Sequence, residues 1–199
     1  MKNFKKFVGT LTSAAFSIGL ILNFAACTNE SPLSPQQPEI SANVVQSNIG
    51  TVRLLQVDKK QLALMKGKTF SKTKKIKAKH GGTIKVGSPS HGKSKITFKK
   101  NDLPEDMTIS FAWVSGGSFE GMLNDLEFGP HGLVFNTPVE VKLSYKKADL
   151  QGFNEKDLKL FYYNEETELW ELIGGEVDEK KKIVIAFLDH FSRYAIGAE

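Results

Sequence analysis

The sequence predicts an all-β fold, an antiparallel β-sandwich that follows an N-terminal signal segment and a flexible tether. Three observations predict it. Short apolar–polar alternations recur between residues 75 and 196, turn-forming residues separate them at short intervals, and only residues 147–157 suit a helical turn or two. Many short strands divided in this way belong to sandwiches or partly open barrels.

The chain opens with Lys2, Lys5 and Lys6, and twenty uncharged residues, 7–26, follow. A basic start, an apolar middle and small residues before a cut site make a secretory signal. The segment closes on Phe24-Ala25-Ala26-Cys27 and resembles the lipobox of bacterial lipoproteins, with Phe24 where leucine is usual. Twenty residues could also span a bilayer, but Gly9, Thr10, Thr12, Ser13, Ser17, Gly19 and Asn23 dilute the run. Cys27 is the chain's one cysteine. Once it carries lipid, disulfides, thiolate metal sites and a cysteine nucleophile are excluded from the mature chain. The implied domains are 1–26 as signal peptide, 27–49 as lipidated cysteine and tether, and 50–199 as the sandwich. Pro32, Pro35 and Pro38 among polar residues make the tether semi-extended, with a reach of up to about 60 Å.

Charge is polarised along the chain. Residues 66–100 hold twelve lysines and no acid, whereas residues 101–199 hold nineteen acids against nine bases. Such halves neutralise one another partly when basic and acidic strands are neighbours.

The strands follow in order. Lys75, Lys77 and Lys79 alternate with Ile76 and Ala78, and Ile84 and Val86 resume the pattern after Gly81-Gly82. Pairing 78 with 84 keeps the apolar residues on one face and predicts a loop of His80, Gly81 and Gly82 with a left-handed glycine. Ile96 and Phe98 mark the next strand. Further strands are expected at 108–114, 125–128, 139–145, 159–163, 169–173, 182–188 and 194–196.

The stretch Leu126-Glu127-Phe128-Gly129-Pro130-His131-Gly132-Leu133-Val134-Phe135-Asn136-Thr137-Pro138-Val139-Glu140-Val141 resembles the signature of the ZU-five domain. This is the β-sandwich of zonula-occludens proteins, netrin receptors and ankyrins. Gly81-Gly82, a hairpin at Trp170 and the closing His190-Phe191-Ser192-Arg193-Tyr194 match in family order, so the resemblance covers residues 76–197. It departs at Phe98-Lys99-Lys100, where the family has an isoleucine–proline pair and this chain has a proline only at Pro104. The resemblance implies a sandwich used as an envelope or surface module, without the cytoskeletal and receptor roles of the animal relatives.

It also implies one chemistry. In related self-cleaving domains a His-Phe-Ser is cut between Phe and Ser, which here means Phe191 and Ser192, with Ser192 as nucleophile and His190 beside it. On an unbroken strand His190 and Ser192 share a face. Two other motifs fail on context. Gly87-Ser88-Pro89-Ser90-His91-Gly92-Lys93-Ser94 fits a phosphate-loop pattern, but the alternating Lys95-Ile96-Thr97-Phe98 follows it instead of a helix, so a hairpin loop is expected. Ser118 stands in Gly116-Gly117-Ser118-Phe119-Glu120, with glutamate where a nucleophile elbow needs glycine. The four histidines are not spaced as metal ligands, so neither metal nor cofactor is expected, and conventional enzyme activity is not.

The best binding candidate is a face of Lys75, Lys77, Lys79, Lys85, Lys95 and Lys99 on strands expected to be adjacent. It suits anionic polysaccharide, lipid headgroups, another polyanion or a protein. No aromatics interleave with it, which argues against specific nucleic acid. The sequence therefore describes an extracytoplasmic module, bound to the bacterial envelope through lipid on Cys27. Replacing Cys27 with alanine is expected to shift the protein from detergent to aqueous phase and to remove the acyl mass. A free Cys27 thiol in the native protein would overturn the assignment.

Overall fold

A strand with one apolar face must hide it against a second layer, and this chain does so with two stacked sheets. The structure, a computed structural model, describes residues 44–65, 70–89, 92–113 and 126–199. The signal segment, Cys27 and the tether to residue 43 lie outside the described residues, as do Ser90, His91 and Ser118.

The first strands are β1 (Val44–Ser47), β2 (Gly50–Leu54) and β3 (Gln56–Val57), followed by the helix α1 (Lys59–Met65). Then come β4 (Phe70–Ile76), β5 (Gly82–Ser88), β6 (Gly92–Phe98), β7 (Met107–Trp113), β8 (Leu126–Gly129) and β9 (Val134–Ser144). After β10 (Ala148–Asp149) and a 3-10 turn (Glu155–Asp157), the chain forms β11 (Lys159–Asn164) and β12 (Leu169–Gly174). It ends with β13 (Glu176–Asp178), β14 (Ile183–His190) and β15 (Arg193–Ala198). The larger sheet runs β11-β12-β1-β2-β15-β8-β7-β4, the smaller β13-β14-β9-β6-β5, and β3 pairs with β10. The all-β class is therefore observed, and the folded part takes in Val44–Ser47, ahead of the boundary expected at 50.

Alternation carries the main core. Ile84, Ile96, Val139, Val141, Val184 and Leu188 of the smaller sheet face Ile109, Phe111, Phe128, Leu160, Tyr194 and Ile196 of the larger, all of them buried. Burying each large apolar side chain contributes about 1.5–3 kcal/mol. A second cluster, Val52, Leu54, Phe161, Trp170 and Ala195, lies on the opposite side of β11 and β15. Because β11 also pairs with β15, the strands β15, β11, β12, β1 and β2 close on themselves. β15 is consequently buried on both faces, and Tyr194-Ala195-Ile196 reads as a continuous apolar run with no alternation.

The connection between β4 and β5 departs from the expected hairpin. Lys77 bridges to Gly81 around a three-residue turn, 78–80, and the strands then part to different sheets. Ile76 and Ile84 can thereby enter the core from opposite layers. Gly81 is left-handed as expected (φ 67°), and a Cβ there would stand 2.3 Å from the Phe98 carbonyl oxygen. The phosphate-loop pattern is a hairpin: Ser88 pairs with Gly92, and β6 follows.

Helical structure also differs in extent. The 3-10 turn falls inside 147–157, with the Asn154 side chain accepting from the Lys156 amide. α1 was not anticipated; Asp58 Oδ1 accepts from the amides of Lys60 (3.0 Å) and Gln61 (3.2 Å), an N-cap that starts it.

Pro138 lies within β9, where 134 pairs with His190 and 139 with Leu188, so residues 135–138 bulge out of the ladder. A residue without an N–H is tolerated there. The bulge docks on the buried Asp102, which accepts from the Thr137 hydroxyl and the Lys99 amide, both at 2.5 Å. Asn136 donates to the carbonyls of Asn101 and Leu103.

Between β14 and β15 the chain passes from the smaller sheet to the larger, and Phe191 marks the crossing. Its fully buried ring stacks on Phe128 (5.2 Å between centroids) and meets Phe135 (4.8 Å) and Phe98 (6.3 Å) edge-on. Its amide donates to the Leu133 carbonyl and its carbonyl accepts from the Gly132 amide. Phe191→Ala is expected to destabilise the fold by about 3–5 kcal/mol in denaturant titration; a loss below about 1 kcal/mol would mean that the crossing is held by something else.

Candidate functional site

The outward residues of the smaller sheet follow from its inward ones. With Ile84 and Val86 buried, Lys85 points out; with Ile96 and Phe98 buried, Lys95 and Thr97 do; with Val139, Val141 and Leu143 buried, Glu140, Lys142 and Ser144 do. On β14 the outward set is Ile183, Ile185 and Phe187. Register turns this parity into a row: Lys85 opposes Lys95, Lys95 opposes Lys142, Lys142 opposes Ile185, and Ile185 opposes Glu176. Three lysines thus stand side by side at the strand spacing of about 4.8 Å, an arrangement that costs stability unless it is compensated. Glu140 compensates in part, 3.2 Å from the Lys142 ammonium.

Toward the β5–β6 loop this face hollows into a groove of about 510 Å³, lined by Lys93, Lys95, Lys142, Lys146 and Lys181 over Ile183 and Ile185. Lys146 Nζ donates to the Pro89 carbonyl (3.0 Å), which fixes one wall. Lys181 Nζ pairs with Asp178 Oδ2 at 2.6 Å, and this hydrogen bond holds the Asp178 carboxyl below its usual range. Among the described residues, Lys93 and Lys95 have no acidic partner. Gly92 (φ 91°) makes the close approach of the hairpin to β9 feasible, since a Cβ there would meet Ser144 Oγ at 2.2 Å.

Next in sequence to the groove residues Ser144, Lys146, Lys181 and Ile183 lies a half-buried network. Lys182 Nζ donates to both carboxylate oxygens of Glu155 (2.5 and 2.6 Å), and the Tyr145 hydroxyl donates to Oε2 (2.7 Å). The Lys182 contact, and less so the tyrosine, hold the Glu155 carboxyl below its ordinary value against the opposing effect of burial. Burial, and then Glu155, push the Tyr145 hydroxyl well above the ordinary tyrosine range.

The six lysines expected on one plane are divided between the sheets. Lys85 and Lys95 are neighbours, but Lys75 lies on β4 of the larger sheet, opposite Thr108 of β7. Lys77 and Lys79 sit at the turn and Lys99 just beyond β6. The cause is the parting of β4 and β5. In exchange the groove gains Lys142, Lys146 and Lys181 from the acidic half of the chain. Outward parity on the strand at 139–145 marked Lys142, but only strand order could set it beside Lys95.

His190 and Ser192 also separate. The His190 ring stands edge-on to Tyr162 (5.1 Å), and the Ser192 hydroxyl donates to the Tyr163 carbonyl (3.1 Å). Strand parity does not extend across 190–192 because the chain changes sheets there. Ser192 instead lines a cavity of about 300 Å³ with His131, Glu127, Glu165 and Arg193. His131 Nε2 lies 3.8 Å from Glu165, and Arg193 lies 3.9 Å from Glu127. Among the described residues no group of histidines and carboxylates is arranged to hold a metal ion, and no helix is long and apolar enough to cross a membrane.

No family model matches the chain. Among curated proteins, a stretch of 58 residues is 38% identical to part of an amylopullulanase from Thermoanaerobacterium thermosulfurigenes. The match covers 29% of this chain and 3% of that protein.

The Glu155 clamp gives a pH dependence with a definite sign. A carboxyl whose folded pKa is lowered stabilises fully above its unfolded value of about 4.3 and loses that contribution as the pH falls. The stability gap between wild type and Glu155→Gln is expected to be full at pH 7 and to close on acidification below about pH 4. A gap unchanged at pH 3 would show that the clamp is not ionic.

Proposed function

We propose that this chain is a lipid-anchored module of the bacterial cell envelope, held by Cys27, whose ZU-five-like β-sandwich binds an anionic envelope polymer through the outer face of its smaller sheet. One observation carries this reading: the row Lys85, Lys95 and Lys142, set directly opposite one another across three strands. A fold gains nothing internally from three adjacent like charges, whereas a polyanion gains from each. The proline-containing tether expected after Cys27 would carry this face away from the membrane, toward envelope polymers. The similarity to an amylopullulanase is confined to 3% of that protein and brings no activity with it, so the module is read as a binding or adaptor element and not as an enzyme.

Retention on an anionic matrix at low salt, lost as salt rises and weakened when Lys85, Lys95 and Lys142 are replaced by glutamine, is the expected behaviour. Absence of retention at low salt would refute the reading.

A second reading, self-cleavage between Phe191 and Ser192, is favoured by one contact: the Gly132 amide donates to the Phe191 carbonyl (3.0 Å) and would polarise the group under attack. Ser192 Oγ would add to that carbonyl carbon, the C–N bond would break to release the Ser192 amine, and water would open the resulting ester. His131 is then a better-placed base than His190, since it shares the cavity with Ser192. Intact mass separates the two readings. The binding module gives one mature chain, and self-cleavage gives an added fragment of residues 192–199 that is absent in Ser192→Ala.

A further inference from the structure

The groove beside the lysine row has a second chemical character besides charge. Its floor is the aliphatic pair Ile183 and Ile185, with Phe187, 55% exposed, next along the same strand. Lysines rise on the β5, β6 and β9 side of this strip, whereas Glu176 and Asp178 border it on β13. A purely electrostatic site has no use for an apolar strip in water, and burying one contributes about 25 cal/mol per Å² covered.

We infer that the groove holds an acidic polysaccharide, with sugar rings laid on Ile183 and Ile185 and their carboxylates directed to Lys93, Lys95 and Lys146. This rests on the reading of the chain as a polyanion-binding module and names the ligand class. A pyranose ring that bears a carboxylate presents both a C–H face and a charge, which is the combination the groove offers. Polyphosphate has the charge without the face, and a neutral glycan the face without the charge.

Two other occupants fit less well. Extended peptides are recognised mainly at sheet edges, through unpaired backbone groups, or in deep side-chain pockets. Here β6, β9 and β14 are already paired on both sides. A bilayer presents a broad, gently curved surface, whereas Ile183 and Ile185 line a concavity of about 510 Å³. The absence of arginine from the lining accords with a repeating polymer. Lysine supplies point charges, not the planar fork that selects one carboxylate or phosphate, so affinity comes from summing many weak contacts along a chain.

The test uses full-length protein in detergent and four probes: polygalacturonate, polyphosphate, an uncharged glucan and vesicles of anionic phospholipid. Polygalacturonate is expected to bind most tightly. Lys93→Gln with Lys95→Gln should weaken it about five- to tenfold, as the loss of two exposed charge contacts predicts. Lys75→Gln with Lys77→Gln, on β4 of the other sheet and in the turn that follows it, should change it less than twofold. Ile183→Ser with Ile185→Ser should weaken polygalacturonate severalfold and leave polyphosphate binding unchanged, at an unaltered unfolding midpoint. If the isoleucine pair fails to fold, the lysine pairs and the order of the four probes decide alone. Equal binding of polyphosphate and polygalacturonate, or equal effects of the two lysine pairs, overturns the polysaccharide assignment while leaving polyanion binding intact. Vesicle binding without polygalacturonate binding overturns it in favour of a membrane surface. Failure of every anionic probe removes both this inference and the broader reading.

Discussion

The burial of Phe191 is the constraint around which the sandwich is organised. The chain must leave the smaller sheet after β14 and enter the larger as β15, and a crossing between layers exposes backbone groups that no ladder satisfies. Residues 132 and 133 take up both groups of Phe191, while Phe98, Phe128 and Phe135 enclose its ring. These partners come from β6, β8 and β9, so one side chain ties both layers together. Tyr194 continues the arrangement: its buried hydroxyl donates to the His190 carbonyl, across the same crossing. The Gly-Pro-His-Gly turn at 129–132 thus has a structural task, to deliver the Gly132 amide and the Leu133 carbonyl to the point where the layers join.

That crossing also determines what the conspicuous motifs can do. His190 ends β14 of the smaller sheet, whereas Ser192 lies in the crossing just before β15 of the larger and turns toward the carbonyl of Tyr163 and the cavity shared with His131. The phosphate-loop pattern supplies a second case. Its glycines serve a tight hairpin, and its Lys93 lines the groove without any helix dipole behind it. In both cases the residue types remain chemically useful, but their geometry is set by strand pairing and not by the motif.

Strand positions were legible because burial on one face imposes a period of two, and nearly every expected strand is present within a few residues. Three features were legible only in part or not at all. The strand expected at 194–196 is present as β15, but its burial between two cores, which leaves it no polar face to alternate with, was not foreseen. The helix α1 rests on a single Asp58 cap before a short, lysine-rich segment without clear amphipathic period. The first strand, Val44–Ser47, is four residues long and follows a proline-rich stretch, so nothing local distinguishes it from tether; its pairing with β2 and the single parallel contact of Ser47 with Trp170 make it a strand.

The sequence by itself determined the class of fold and the outward direction of Lys85 and Lys95. These depend on local periodicity, which pairing partners do not alter. Only the tertiary structure decided which lysines are neighbours. Lys75 and Lys85 are ten residues apart yet lie in different sheets, whereas Lys95 and Lys142 lie far apart in sequence and directly opposite in space. Parity along a strand is a property of the backbone, but the order of strands is a property of the core they jointly bury, and no single strand contains that information.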